Sequence, residues 1–153
     1  MFNVSMRIMQ NREEAEDILQ DAFVDVFTKL ESFRGDSTFG AWFKRIVINK
    51  SLNAIKKKKV LTTELENVAE ATEDEEVQEE SQFNYTVDQV RSAVELLPEG
   101  YRIVFTLFMF EGYSHKQIAA ELDVTESTSK SQYNRAKKKI RHLLTTKITS
   151  NGR

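Results

Sequence analysis

Apolar positions near the start of the chain step by three and four: Ala15, Ile18, Leu19, Ala22, Phe23, Val26, Phe27 and Leu30. That spacing predicts an amphipathic helix with this stripe, Phe23 included, packed inward on a core. Asn11 stands where an N-cap belongs, and Glu13, Glu14, Glu16 and Asp17 fill the first turns, where the helix dipole favours negative charge. The preceding FNVSMRIM reads as the tail of another helix. Beyond a loop at 32–37 that contains Gly35, a second helix is expected over about 38–59, with Phe39, Phe43, Ile46 and Val47 on one side.

The later part of the chain reads as four more helices, at about 85–97, 99–111, 114–122 and 126–146. Their punctuation is chemical. Pro98 suits the first turn of a helix, Gly112 suits a left-handed stop, and Ser114 with Gln117 has the spacing of a capping box. Asp123 and Val124 make a short turn, and Thr125 can cap a last helix whose apolar positions are Tyr133, Ala136, Ile140 and Leu143 or Leu144. A short helix, a tight turn and a longer basic helix form a helix-turn-helix. The fold class is therefore all-α, with two small helical domains, and five glycines and one proline leave few turns for a sheet.

Charge changes the picture more than overall composition does. The formal net charge of the 153 residues is −2, but residues 1–59 carry 11 basic and 8 acidic side chains, 60–84 carry none and 9, and 85–153 carry 11 and 7. Two mildly basic domains, 1–59 and 85–153, thus flank an acidic connector, 60–84, too poor in large apolar residues to offset the entropy of ordering, which reads as a flexible linker. Seven cationic residues and no acid occur in 44–59, and the same is true of 130–147. Two basic helices on one tether suggest two contacts with one polyanion.

Several chemistries are excluded. No cysteine and only two histidines rule out disulfides, thiol catalysis and multi-histidine metal cages, and no apolar run reaches the roughly 18 residues of a membrane span. With no secretion signal at the start, a soluble, cytoplasmic protein without membrane insertion is expected. Ser114 and His115 are helix neighbours that do not face each other, so capping explains them better than catalysis, and His142 suits a helix end or a phosphate. No glycine cluster cradles a nucleotide. Neither a catalytic constellation nor a cofactor is expected.

Asp17, Asp21 and Asp25 step by four along one face. With no opposing carboxylates, that face is solvated or docks a basic partner rather than holding a cation, and the outward Val24 between the acids suits docking. Arg45, Asn49 and Asn53 also step by four, giving a polar face able to reach bases, while the self-repelling Lys56, Lys57, Lys58 and Lys59 call for a polyanion or a frayed end. Trp42, one turn earlier, is either a core anchor or a plate for an unpaired base.

The motifs NREEAEDILQDAFVDVFTKL, SFRGDSTFGAWFKRIVINKSLN and LPEGYRIVFTLFMFEGYSHKQIAAELDVTESTSKSQYNRAKKKIRHLL, in this order around an acidic connector, resemble the bacterial sigma-70 family, in its extracytoplasmic-function group. The resemblance covers nearly the whole chain except the connector and the extreme ends. It implies a promoter-specificity subunit of core RNA polymerase with no enzymatic activity, held in check by an anti-sigma factor. The acidic helix would dock on the clamp coiled coil of the largest subunit through Asp17, Gln20 and Asp21, with Phe23 packed inward and with Val24 and Asp25 of the same face. The minus-ten element of promoter DNA would be read by Trp42, Arg45, Asn49 and Asn53, with Lys56 and Lys57 beside them, and the loop 33–38 would capture an extruded base. The minus-thirty-five element would be read by Ser127, Thr128, Lys130, Ser131, Gln132 and Arg135, with Lys138 and Arg141 on phosphates. Ser129 stands where the family usually has an aliphatic core residue, and Asp123 where it often has glycine. The family's first domain begins with a longer helical segment before the position of Asn11, so a shortened first domain is expected. Two other readings stand beside the leading one: a helix-turn-helix regulator that works without polymerase, and a truncated sigma-like protein that titrates an anti-sigma factor.

Overall fold

The computed structural model describes residues 1–62 and 85–151, with side chains over 1–58 and 85–146. The chain divides into two compact units. All regular elements among the described residues are helical. Of the acidic connector expected over 60–84, residues 60–62 continue the helix that precedes it, and 63–84 lie outside the described residues.

Among the described residues the first unit has three α-helices, α1 (Phe2–Met9), α2 (Arg12–Lys29) and α3 (Phe39–Thr62), with a 3-10 turn at Leu30–Ser32 after α2. The FNVSMRIM segment is helical. It buries Val4, Ser5, Ile8 and Met9 and ends on Gln10, which takes a left-handed φ of 52° while its N–H donates to the Met6 carbonyl at 2.8 Å. The Asn11 side chain then accepts from the Glu14 N–H at 3.1 Å, so two turns of sequence-local bonding set the α1–α2 corner. Ser5, Ala15 and Ser51 are all fully buried, and small side chains allow close helix approach. Ser51 donates to the Val47 carbonyl at 2.8 Å, and its oxygen lies 3.4 Å from that of Ser5. Around them Ala22, Val26, Phe43, Val47, Ile48, Leu52 and Ile55 complete the core.

Only part of the expected α2 stripe is inside. Ala15, Ile18, Ala22 and Val26 are buried, but Phe23, Phe27 and Leu30 are 47%, 76% and 50% exposed. The expectation that Phe23 packs inward is corrected: its ring leans on Phe43 at 5.0 Å from the rim of the core. The run of apolar residues covers an arc wider than two neighbouring helices can bury.

In the second unit α4 (Val87–Glu95), α5 (Glu99–Phe105), α6 (His115–Leu122) and α7 (Glu126–Asn151) are punctuated largely as the sequence predicts. Capping boxes at Thr86–Gln89 and Ser114–Gln117 have both reciprocal bonds, Gly112 takes a φ of 71°, and Asp123 ends α6 with a φ of 57°. Pro98 is the residue just before α5 rather than its first turn. The continuous helix expected to 111 gives way at Thr106–Phe110 to a π-helical turn, in which the Glu111 N–H reaches the Thr106 carbonyl at 3.2 Å. Such a turn inserts one extra residue and swings the following side chains round the axis. Helix α7 is the spine, packed on α4, α5 and α6 through Tyr133, Ala136, Ile140 and Leu144.

Candidate nucleic-acid interface

Helix α3 presents two chemically different sides. Its lysines at 50 and 58 turn toward α2, where Lys50 pairs with Asp25 at 3.0 Å and Lys58 pairs with Glu14. The half-buried Lys50–Asp25 pair ties α3 to α2 and takes that lysine out of the free basic surface, while the more exposed Lys58–Glu14 pair carries less weight. The remaining face carries Trp42, Arg45, Asn49, Asn53 and Lys56, which lie within about 80° of one another at 100° per residue, with Lys57 at the edge. Arg45, Asn53, Lys56 and Lys57 are exposed, and Asn49 is half-buried with its Oδ1 enclosed and lacking a hydrogen-bond partner among the described residues. A buried amide oxygen without a partner is costly, so Asn49 keeps hydrogen-bonding capacity that a ligand could satisfy.

Trp42 is half-buried, between the two sequence readings. Its ring centroid lies 5.0 Å from Phe33 and 5.8 Å from Phe39, which themselves meet edge to face at 6.0 Å. The loop expected to handle an extruded base is thereby anchored at both ends, by Phe33 on Trp42 and by the Thr38 hydroxyl accepting from the Ala41 N–H at 3.2 Å. Between the anchors Arg34, Gly35, Asp36 and Ser37 are exposed.

On α2, Asp17, Gln20, Asp21 and Val24 share an exposed face, Val24 being 61% accessible. Asp25 differs. It is half-buried between Lys50 and Lys29, and the hydrogen bond from Lys50 holds its carboxyl below the usual range. Phe27, the most exposed large apolar residue among the described residues of the unit, extends this acidic and apolar face. Periodicity alone assigned it to the core, and no sequence signal distinguished it. No three His, Cys, Asp or Glu side chains converge as metal ligands would among the described residues.

Helix α7 begins with the Thr125 hydroxyl accepting from the Thr128 N–H at 3.0 Å, while the two threonine hydroxyls meet at 2.8 Å. Thr128 is therefore engaged in the cap and half-buried. Ser127 and Lys138 are exposed, Ser131 and Arg135 half-buried, and Lys130 sits 3.8 Å from Glu126 in a solvent-exposed pair of little energetic weight. Gln132 is half-buried, its amide 3.6 Å from where Gly100 would carry a Cβ, so it lies against α5 as well as beside the basic face. Asn134, also exposed, falls in line with Ser127, Ser131, Lys138 and Arg141. The sequence reading missed it, although the three-and-four spacing from Ser127 and Ser131 already points to it.

Fold and surface together define a two-unit helical protein with a basic, asparagine-bearing helix in one unit and a helix-turn-helix in the other. Residues 1–60 match the family pattern of sigma-70 region 2, and residues 88–140 match that of sigma-70 region 4. The RNA polymerase sigma-H factor of Pseudomonas aeruginosa is 30% identical over 150 residues, spanning 92% of this chain and 78% of that one. The ECF RNA polymerase sigma-E factor of Escherichia coli K12 is 30% identical over 137 residues, 83% of this chain and 72% of that one. The sigma factor RpoE of Bartonella quintana, solved in complex with the anti-sigma factor NepR, has the same fold, with a TM-score of 0.58 over 94% of this chain and 89% of that one at 22% identity. The chain belongs to the sigma-70 family of RNA polymerase sigma factors, in its extracytoplasmic-function group, whose members direct transcription initiation and are not enzymes.

Proposed function

We propose that the two units divide promoter recognition between them, with 1–59 docking on polymerase and reading the minus-ten element, 85–153 reading the minus-thirty-five element, and the acidic connector after α3 serving as tether. The observation that carries this reading is the pair of one-sided helices. On α3 Lys50 and Lys58 turn toward acids of α2, and Arg45, Asn49, Asn53, Lys56 and Lys57 form the other, polar and basic face. On α7 the apolar stripe is packed, and Ser127, Ser131, Asn134 and Lys138 line the other side. Lys130, Gln132 and Arg135 flank that line, and Thr128 contributes mainly through the cap.

Docking on core polymerase uses Asp17, Gln20, Asp21 and Val24, joined by Phe27, an acidic surface with apolar residues of the kind that meets a basic partner. Asp25 supports this face by holding α2 to α3. An anti-sigma factor is the regulatory partner, as in the related Bartonella quintana complex, and the protein works in the cytoplasm. No helix among the described residues is long and apolar enough to cross a membrane.

The test changes Asp17 and Asp21 to lysine together. Co-purification with core polymerase should be lost while helical content by circular dichroism stays unchanged, and undiminished co-purification would remove the docking assignment. Substituting Asn49 and Asn53 with alanine should cripple promoter melting in permanganate footprinting, and melting at the normal rate would remove α3 as the minus-ten reader.

A further inference from the structure

Ser129 lies on the packed side of α7, on the stripe that continues as Tyr133, Ala136, Ile140 and Leu144, and it is fully buried. A hydroxyl in such a place is costly unless bonded. Its partner is His115, the first residue of α6, whose Nδ1 lies 2.9 Å from Ser129 Oγ. The imidazole is fixed from two further directions. Phe108, from the π-helical turn, stacks on it at 4.4 Å with the planes 15° apart, and Tyr133 of α7 meets it edge-on at 5.7 Å. Phe108 and Tyr133 in turn touch at 4.5 Å. One polar bond, flanked by two aromatic rings, therefore joins the two helices of the helix-turn-helix.

The bond has directional consequences that apolar packing lacks. Aromatic and aliphatic contacts tolerate some rotation of a helix about its axis, whereas a short hydrogen bond does not. Ser129 sits between Thr128 and Lys130 and two residues from both Ser127 and Ser131. Side-chain tips stand roughly 5–6 Å from a helix axis, so a rotation of about 15° moves them by about 1.5 Å. That displacement exceeds the whole distance range over which hydrogen bonds to base edges are made.

We propose that His115 and Ser129 are a positioning pair: their hydrogen bond sets the rotation of α7 about its axis and thereby the sequence discrimination of its exposed face. The proposal rests on the assignment of α7 as a base-reading helix. Burial, with Lys130 nearby, lowers the His115 pKa and favours the neutral ring, whose Nδ1 can pair with the serine hydroxyl in either tautomer.

The experiment uses the full chain reconstituted with core RNA polymerase and a randomised DNA duplex library, reading the enrichment of selected upstream sequences over the starting pool. Ser129→Ala and His115→Phe should each lower that enrichment by about tenfold, the range of one lost base contact, and the double variant should be no worse than either single one. Binding to non-specific duplex and its salt dependence should stay unchanged. His115→Asn, whose amide reaches the Nδ1 position, should recover enrichment. Ser129→Val keeps the site filled with an apolar group and should leave the unit folded while enrichment still falls. If Ser129→Ala, Ser129→Val and His115→Phe lower only thermal stability and select the wild-type sequences to the wild-type degree, or if the two single effects simply add, the positioning role is overturned. A wild-type chain that enriches upstream sequences, together with Arg135→Ala that relaxes them, keeps the base-reading assignment intact in that outcome. A wild-type chain that enriches nothing upstream overturns that assignment and this proposal with it.

Discussion

Replacing Phe27 by serine tests whether the exposed rim of α2 is surface or core. Removing a fully buried phenylalanine costs about 3–5 kcal/mol, because transfer and cavity terms add. Phe27 is 76% exposed, so about a quarter of its surface is covered. For a side chain of roughly 200 Å² this is about 50 Å², or about 1.2 kcal/mol at ~25 cal/mol per Å², and no cavity opens because the site faces solvent. Ile18→Ala, at a position only 7% exposed, is the contrasting variant and should cost about 2–5 kcal/mol. Trp42 is the sole tryptophan of the chain and belongs to the first unit, so denaturant unfolding followed by its fluorescence reports on that unit alone. Phe27→Ser should also weaken binding to core polymerase by about tenfold if the residue belongs to the docking face. A loss of 3 kcal/mol or more for Phe27→Ser would refute the reasoning, since it would mean that the ring is buried in solution.

Arg135→Ala should weaken specific binding to an upstream-element duplex by about 1–3 kcal/mol and leave non-specific binding nearly unchanged, as a mobility assay on matched and scrambled duplexes would read. Asp123→Gly should stabilise the second unit by about 0.5–1 kcal/mol, because the φ of 57° there carries a penalty for any side chain, and Asp123→Val should destabilise it, both read from thermal unfolding. His115 has a folded-state pKa below its ordinary 6.5, chiefly through burial, so the unfolded chain takes up the proton first. Its contribution to stability is present above pH 6.5 and is lost as pH falls through the folded value, an effect that hydrogen exchange in α6 and α7 should show and His115→Asn should remove. Asp25 lies below its ordinary 3.8 chiefly because of Lys50, with Lys29 adding to it, so the first unit should lose that contribution only as pH falls below 3.8, and Lys50→Met should weaken the dependence.

The sequence by itself determined several of the helix starts and stops. Asn11, Thr86, Ser114 and Thr125 each bond an N–H three residues on, and Gly112 and Asp123 each supply a left-handed residue, so the information is complete within one turn of chain. The three-and-four spacing also marked the packed side of α7 and the polar side of α3, because each of those stripes is narrow enough to have a single inward solution. Only the tertiary structure decided which part of the wide α2 stripe is covered. Eight apolar positions span more arc than α1 and α3 can reach, and the surplus, Phe23, Phe27 and Leu30, became surface. The π-helical turn likewise belongs to packing, since it brings Phe108 onto His115. Asp25 turned from the exposed acidic face of α2 to Lys50, and Ser129, an anomaly in the core stripe, found His115 fourteen residues earlier. Periodicity reports how a residue is turned on its own helix, whereas these outcomes depend on what a neighbouring helix places opposite it.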